Sequence, residues 1–187
     1  VGLGNTSKLD EQIWNEFSSD WDRLGYESEL LIAKYSNIPI EQTISTDIDL
    51  ENLPRGTTRD AIVKVRVNQK FFRNTVLSSY NSKCCITGMD MPELLVASHI
   101  VPWAINDTKR TDPRNGLCLN VMHDKAFDRG LITVTEDYRV KLSPALVKNK
   151  SNSEINNWFI GYDNKPICIP ERFVPDTEFL RYHRVNI

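Results

Sequence analysis

Between positions 99 and 128 the chain sets out the side-chain types of a hydrolytic centre: His99, Asn115 sixteen residues later, then His123, Asp124 and Asp128. His99 lies near the end of the apolar run Leu94–Ile100, just ahead of Pro102-Trp103, which puts its imidazole at a strand end facing a loop. A neutral imidazole that titrates near neutrality can take a proton from water. A histidine alone in an apolar strand is more often a satisfied core residue, and its neighbours change that reading. Asp124 and Asp128 are four residues apart on a short predicted helix, so both carboxylates project from one face. Like charges at that spacing cost about 0.2–0.5 kcal/mol, and Asp128 falls in the last turn, where the helix dipole disfavours an anion. Such a pair needs compensation. A bound divalent cation would supply it, and so would Lys125, Arg129 or basic side chains from elsewhere. If a cation does, ligands that are all oxygen favour magnesium or manganese over zinc. A base, a cation and positioning donors are the requirements of phosphodiester hydrolysis.

The elements that must position these groups are short. Cys84–Thr87 reads as a strand closed by Gly88, Leu94–Ile100 as a second that delivers His99, and Leu117–Leu119 as a third. Residues 101–116, rich in Pro, Asp, Lys and Arg, form a long loop between the last two. Met122–Arg129 is a helix of about two turns stopped by Gly130. Leu131–Thr135 and Tyr138–Leu142 flank Glu136-Asp137 as a hairpin. A helix near Ser153–Phe159, a strand at Ile167–Ile169 and a helical stretch over Thr177–His183 complete the tail. Upstream, Ile13, Trp14, Phe17, Trp21 and Leu24 recur at helical spacing, with Asp10 as N-cap and Gly25 ending or interrupting the helix before Leu30, Leu31 and Ala33. Residues 36–54 read as a polar, acidic connector. Residues 58–80 mix signals: Ile62–Val67 partly alternates, yet Val65, Gln69, Phe72, Val76 and Tyr80 line one helical face, which favours a helix over at least 68–80. The class is α+β.

At 187 residues the chain fits one domain, or a core domain with an appended element. Its net charge of −2 hides an asymmetry: residues 1–52 carry 11 acidic and 3 basic residues, and residues 53–187 carry 14 and 20. Between positions 55 and 83, Arg55, Arg59, Lys64, Arg66, Lys70, Arg73 and Lys83 accompany the single acid Asp60, a cluster suited either to phosphate contacts or to a solvated helix face. Adjacent Cys84 and Cys85, with Cys118 and Cys168, form no C-x-x-C pair, so reduced thiols are expected and a structural zinc is not. No apolar run approaches the ~20 residues of a membrane span. A cytoplasmic protein with no membrane partner is expected. The chain opens on Val1, which leaves room for an upstream recognition domain.

The runs A-S-H-I-V-P-W, N-G-L-C-L and H-D-K-A-F-D-R-G-L-I resemble a bacterial subfamily of the His-Asn-His (HNH) endonucleases over about 50 residues, with the R-V-N-Q-K-F-F-R run and the closing Y-H-R as weaker likenesses. The resemblance implies a ββα-metal (His-Me finger) core over 84–130, inside a nuclease domain of 55–187 with a C-terminal hairpin and helical extension, preceded by an acidic helical region of 1–54. It implies His99 as general base, and Asn115 as the residue that pins the hairpin loop or, in some members, ligates metal. Asp124 and Asp128 fall at the metal-binding helix positions, with one Mg2+ or Mn2+ ion between them. Ser98 stands where many members carry an acid or histidine ligand, so its contact with the ion would be weak, through water or absent. His123 and Asp124 are neighbours whose side chains point about 100° apart; Asp124 matches the ligand register and His123 becomes a supporting or phosphate-contacting residue. Lys109, Arg110, Arg114 and Arg129 are the expected DNA contacts. The implied activity is metal-dependent cleavage of double-stranded DNA in restriction or phage defence. Two alternatives stay open: a DNA-binding module that has lost catalysis, and an effector nuclease domain served by a separate recognition domain. A double-strand cut needs two sites, which points to a homodimer on DNA.

Overall fold

The computed structural model describes residues 7–44, 58–102 and 110–187. The chain divides into two compact units, 1–71 and 72–187, and the expected boundary at 54/55 lies outside the described residues. The division falls inside one long helix. No helix among the described residues is long and apolar enough to cross a membrane.

In the first unit, helix α1 (Lys8–Phe17) starts at Ser7, whose hydroxyl accepts from the Asp10 amide while the Asp10 carboxylate accepts from the Ser7 amide. Asp10 is thus the second half of a capping box and not the N-cap itself. Helix α2 (Trp21–Ser36) begins at its own N-cap, Asp20, so the break expected at Gly25 falls earlier. Gly25 stays helical and buried because Phe71 packs against it: a Cβ there would lie 2.9 Å from Phe71 Cγ. A one-turn helix α3 (Ile40–Thr43) follows, in the stretch expected to be a plain connector. Helix α4 (Arg59–Ser79) starts nine residues before the expected 68. Its buried stripe runs through Val63, Val67, Phe72 and Val76, while Val65 is 41% exposed, so the face read from the sequence is rotated by part of a turn. Val63 and Val67 join a small core with Ile44, Tyr26 and Ile40. The buried Glu29 carboxylate is held by Lys70 Nζ at 2.9 Å, and Lys70 also donates to the Thr43 carbonyl at 2.7 Å.

The second unit is organised on strands β1 (Leu95–His99) and β2 (Gly116–Asn120), paired antiparallel with Leu95 opposite Asn120 and His99 opposite Gly116. Every residue of β2 is buried, which is why Gly-Leu-Cys-Leu-Asn shows no alternation. Helix α5 (Val121–Asp128) follows β2 directly. The segment expected as a first strand, Cys84–Thr87, is instead a turn: the Gly88 amide donates to Cys84 O, and the Cys84 amide to Met89 O. It contributes only single backbone bonds, Cys85 N to Cys118 O and Cys168 N to Cys85 O.

Strands β3 (Ile132–Val134) and β4 (Val140–Leu142) form the expected second hairpin. Helix α6 (Pro144–Lys148), capped by Ser143, escaped the sequence reading, whereas α7 (Ser153–Trp158) and α8 (Thr177–Asn186) lie where helices were expected. The expected strand at Ile167–Ile169 reduces to a bridge at Pro166 and the amide bonds from Ile167 to Tyr138 and from Cys168 to Cys85. The core of this unit gathers Phe72, Val76, Leu95, Leu117, Leu119, Phe127 and Leu180.

Gly116 is where α4 presses hardest on the hairpin. A Cβ at this position would strike Val76 Cγ2 and come within 3.0 Å of Phe72 Cζ. Gly116→Ala is therefore expected to cost about 1–3 kcal/mol of overpacking, read as a lower urea midpoint with an unchanged slope; a variant as stable as the wild type would show that the contact relaxes freely.

Candidate active site

His99 ends β1 with its ring half-buried. Nε2 lies 2.8 Å from the Arg110 carbonyl oxygen. A carbonyl can only accept, so Nε2 carries the proton and a neutral ring keeps its lone pair on Nδ1. Burial pushes the His99 pKa below its ordinary value; the Arg110 hydrogen bond and the charge of Asp128 pull the other way without reversing the shift. The ring is thus held neutral near pH 7, with Nδ1 as its basic atom.

Asn115, 2% exposed, takes the pinning role. Its Oδ1 accepts from Val101 N at 2.8 Å, its Nδ2 donates to Val101 O at 3.1 Å, and its carbonyl accepts from Ile100 N at 2.9 Å. This side-chain pair prolongs the β1–β2 ladder past its end and closes the mouth of the loop that delivers the Arg110 carbonyl.

Helix α5 carries the carboxylates. Asp124 is partly buried and Asp128 exposed. The Asp124 pKa is raised, first by burial and also by the charge of Asp128, while Ser98 and Lys125 lower it. Ser98 itself is 3% exposed, and among the described residues its Oγ makes no hydrogen bond of good geometry although it lies beside the Asp124 carboxylate. His99 and Asp124 both feel the charge of Asp128, so His99, Ser98, Asp124 and Asp128 share one locality.

Two crowded carboxylates beside a buried hydroxyl without a partner suit a hard divalent cation. Among the described residues no three His, Cys, Asp or Glu side chains converge as a metal-holding group.

His123 is not a ligand in this arrangement. Its ring is 1% exposed, Nδ1 lies 2.8 Å from the Asn120 amide nitrogen, and Nε2 lies 2.8 Å from the Trp158 carbonyl. The ring stands edge-on to Phe159 and Tyr162. With Nδ1 accepting and Nε2 donating, neither nitrogen has capacity for a metal or a phosphate. Its partner Asn120, which sequence reasoning missed, is the N-cap of α5, and its Oδ1 accepts from the amides of Met122 at 3.1 Å and His123 at 2.9 Å. An asparagine directly before a short helical pattern is a recognisable cap signal. The far end of α5 is held by His183, 3% exposed, whose Nε2 donates to Phe127 O at 3.1 Å while Nδ1 meets Thr133 Oγ1 at 2.9 Å.

The expected DNA contacts fare unevenly. Arg114 is occupied: Nη2 meets Asp112 Oδ2 at 2.7 Å, Nε meets Asp112 Oδ1 at 3.1 Å, and the Arg114 carbonyl accepts from Asp176 N. Its fork fastens the loop to buried Asp112. Arg110 is half-buried and contributes its carbonyl to His99; Arg129 is exposed at the end of α5. Lys109 lies outside the described residues. Within the basic cluster, Lys70 is tied to Glu29, and Arg73 donates to the carbonyls of Leu95 and Pro92. Cys84, Cys85 and Cys118 are buried free thiols, and Cys168 is an exposed one.

Residues 84–135 match the HNH_2 family model, described as HNH endonuclease. No curated protein matches the chain. Among solved structures, a "Modification dependent TagI restriction endonuclease" aligns with 21% identity and a TM-score of 0.42, over 62% of this chain and 37% of that one. The chain therefore spans little more than a third of that protein's length.

Burial lowers the His183 pKa from 6.5 to about 4, against the Phe127 hydrogen bond, which raises it. Between those values the unfolded chain binds the proton and the folded one does not, so stability falls as pH drops from about 6.5 and levels off near 4. His99, shifted in the same direction, adds to the slope. His183→Gln should flatten, without abolishing, the loss of urea midpoint between pH 7 and pH 5. An unchanged loss would assign the acid lability to other groups.

Proposed function

We propose that this chain, whose residues 84–135 match an HNH endonuclease family model, hydrolyses the phosphodiester bonds of double-stranded DNA, with His99 as general base and a divalent ion held by Asp124 and Asp128 in a ββα-metal core. The observation that carries the reading is the His99 Nε2 bond to the Arg110 carbonyl. It leaves the basic lone pair on Nδ1, in the same locality as the two carboxylates of α5.

In the proposed reaction Nδ1 takes a proton from water, the water oxygen forms a bond to phosphorus, and the bond to the 3′ oxygen breaks in line. The products carry 5′-phosphate and 3′-hydroxyl ends. A bound Mg2+ or Mn2+ supplies charge neutralisation for the transition state and the departing oxygen. Asp124 and Asp128 would hold it, with Ser98 in contact through water. Asn115 serves by keeping the loop closed behind His99, and His123 by holding α5. Arg110, Arg114 and Arg129 are the arginines in this reading that meet the DNA backbone, with Lys109 in the same loop. Use in restriction or phage defence, a homodimer for double-strand cuts and a separate recognition domain belong to the same proposal.

Supercoiled plasmid should be nicked or linearised with Mg2+ or Mn2+ and left intact in chelator, and His99→Ala should lower the rate by about 10²–10⁴-fold, the range of a lost general base. Full activity in His99→Ala would sink the assignment. Gel-shift binding without cleavage by the wild type would favour the inactive module.

A second expectation concerns the ion. The Asp124 carboxylate is penalised by burial and by Asp128, so Asp124→Asn should raise the melting temperature in chelator. The same variant should lose the upward shift that Mg2+ or Mn2+ gives the wild type. A variant that kept the full metal-induced shift would move the ion elsewhere.

A further inference from the structure

The His99 ring lies flat against the ring of Phe72, with centroids 3.9 Å apart and planes 10° from parallel. Phe72 is 2% exposed and stands outside the matched segment of 84–135. The same turn and a half of α4 grips the hairpin at other points. Arg73 Nη1 donates to Leu95 O at 2.8 Å and Nη2 to Pro92 O at 3.3 Å, fixing the start of the strand whose end is His99. Val76 packs against Gly116, the register partner of His99. Residues of one helix therefore hold the strand of the base at both ends and its partner strand beside the base.

Resting on the reading of His99 as general base, we infer that Phe72 is a positioning residue for the reaction. Its ring holds the imidazole in the plane where Nε2 reaches the Arg110 carbonyl and Nδ1 meets the attacking water. The terminal torsion of a histidine is broad and nearly two-fold. The Nε2 bond to the Arg110 carbonyl sets one distance and does not by itself fix the tilt of the ring. An aromatic face in parallel contact removes that tilt, which an aliphatic side chain of similar volume does not. The contact also changes as the proton moves. When Nδ1 accepts it the ring becomes an imidazolium over an aromatic face, well inside the ~6 Å within which a cation is attracted by the ring quadrupole. The proton leaves water, the oxygen lone pair goes to phosphorus, and the charge left on His99 is met by Phe72. Support that grows along the reaction coordinate lowers the barrier, whereas equal support of both states does not.

The test compares two full-length variants in Mg2+ cleavage of a labelled duplex, at a temperature well below both melting points. Phe72→Leu removes the flat face and keeps apolar bulk. Phe179→Leu is the matched loss of a buried phenylalanine in α8. Phe72→Leu should lose about 10- to 100-fold in kcat, as for a slightly misplaced catalytic group, with KM and duplex affinity within about two-fold of wild type. Phe179→Leu should keep kcat within about two-fold. A wild-type kcat in Phe72→Leu, or an equal fall in both variants, would overturn the positioning role. His99→Ala run alongside separates the failures. If it cuts at full rate, the base assignment falls; if it is dead while Phe72→Leu is fully active, only the role of Phe72 falls.

Discussion

The hydrogen bond between His99 Nε2 and the Arg110 carbonyl decides which ring nitrogen is basic, and much of the second unit keeps that carbonyl in place. A loop of this length would not hold one carbonyl still by itself. Asn115 closes it at the mouth by pairing with both backbone groups of Val101, in effect adding one more rung to the β1–β2 ladder with a side chain. Asp112 and Arg114 tie the returning arm, and the Arg114 carbonyl takes the amide of Asp176, the N-cap of α8. Side-chain polarity inside this unit is spent on fixing backbone. Leaving any of these buried groups unpaired would cost about 1–3 kcal/mol, which is why the ladder, the pin and the loop behave as one element.

The three histidines of the chain divide the labour by what their ring nitrogens touch. His99 donates its Nε2 proton to a carbonyl on its own loop, which places the ring's lone pair on Nδ1. His123 is satisfied at both nitrogens and braces α5 between its own N-cap, Asn120, and the Trp158 carbonyl. His183 is satisfied at both as well, and ties the last turn of α5 to β3 through Phe127 and Thr133. An eight-residue helix is marginal by its own propensity. With a histidine at each end, α5 can hold two carboxylates on one face without fraying.

The site's residues were legible where their types alone constrain them. A histidine at a strand end, an asparagine at the loop's close and acids four apart are patterns that a sequence displays directly, and the hairpin and α5 followed from the apolar runs around them. Adjacent His123 and Asp124 could be separated only in part, since a helical wheel shows that they diverge and not which one is buried; the Trp158 carbonyl, 35 residues downstream, settles that. The pairing of Arg114 was hidden for a similar reason: in sequence it is one more loop cation, and only folding brings the buried Asp112 carboxylate across its fork. The turn at Cys84–Gly88 read as a strand because buried apolar residues look alike in either form. The start of α4 was obscured by β-branched residues at 62–67, whose strand propensity is overridden by the burial of Val63 and Val67. Phe72 was visible only as a core position, since nothing in its spacing points to a contact 27 residues on.

The acidic pair on α5 shows how these local choices bear on one another. Isolated, Asp124 and Asp128 would weaken a helix already short, and burial penalises the charge on Asp124 further. Asn120 meets part of that cost by capping the amides of Met122 and His123, and the positive end of the helix dipole lies within a turn of Asp124. Asp128 has no such help at the carboxy-terminal end, but it is exposed, so water screens it. The pair is thus divided in character, with one carboxylate strained and fixed and the other solvated. The strained member stands beside Ser98, whose buried hydroxyl has no hydrogen-bond partner among the described residues. His99 also feels the charge of Asp128, which favours its protonated form, while burial secures its resting neutrality. In the proposed reading of His99 as the base, a group neutral before it acts and charged after it is well placed between an apolar face and an acid, and Phe72 and Asp128 supply those two surroundings.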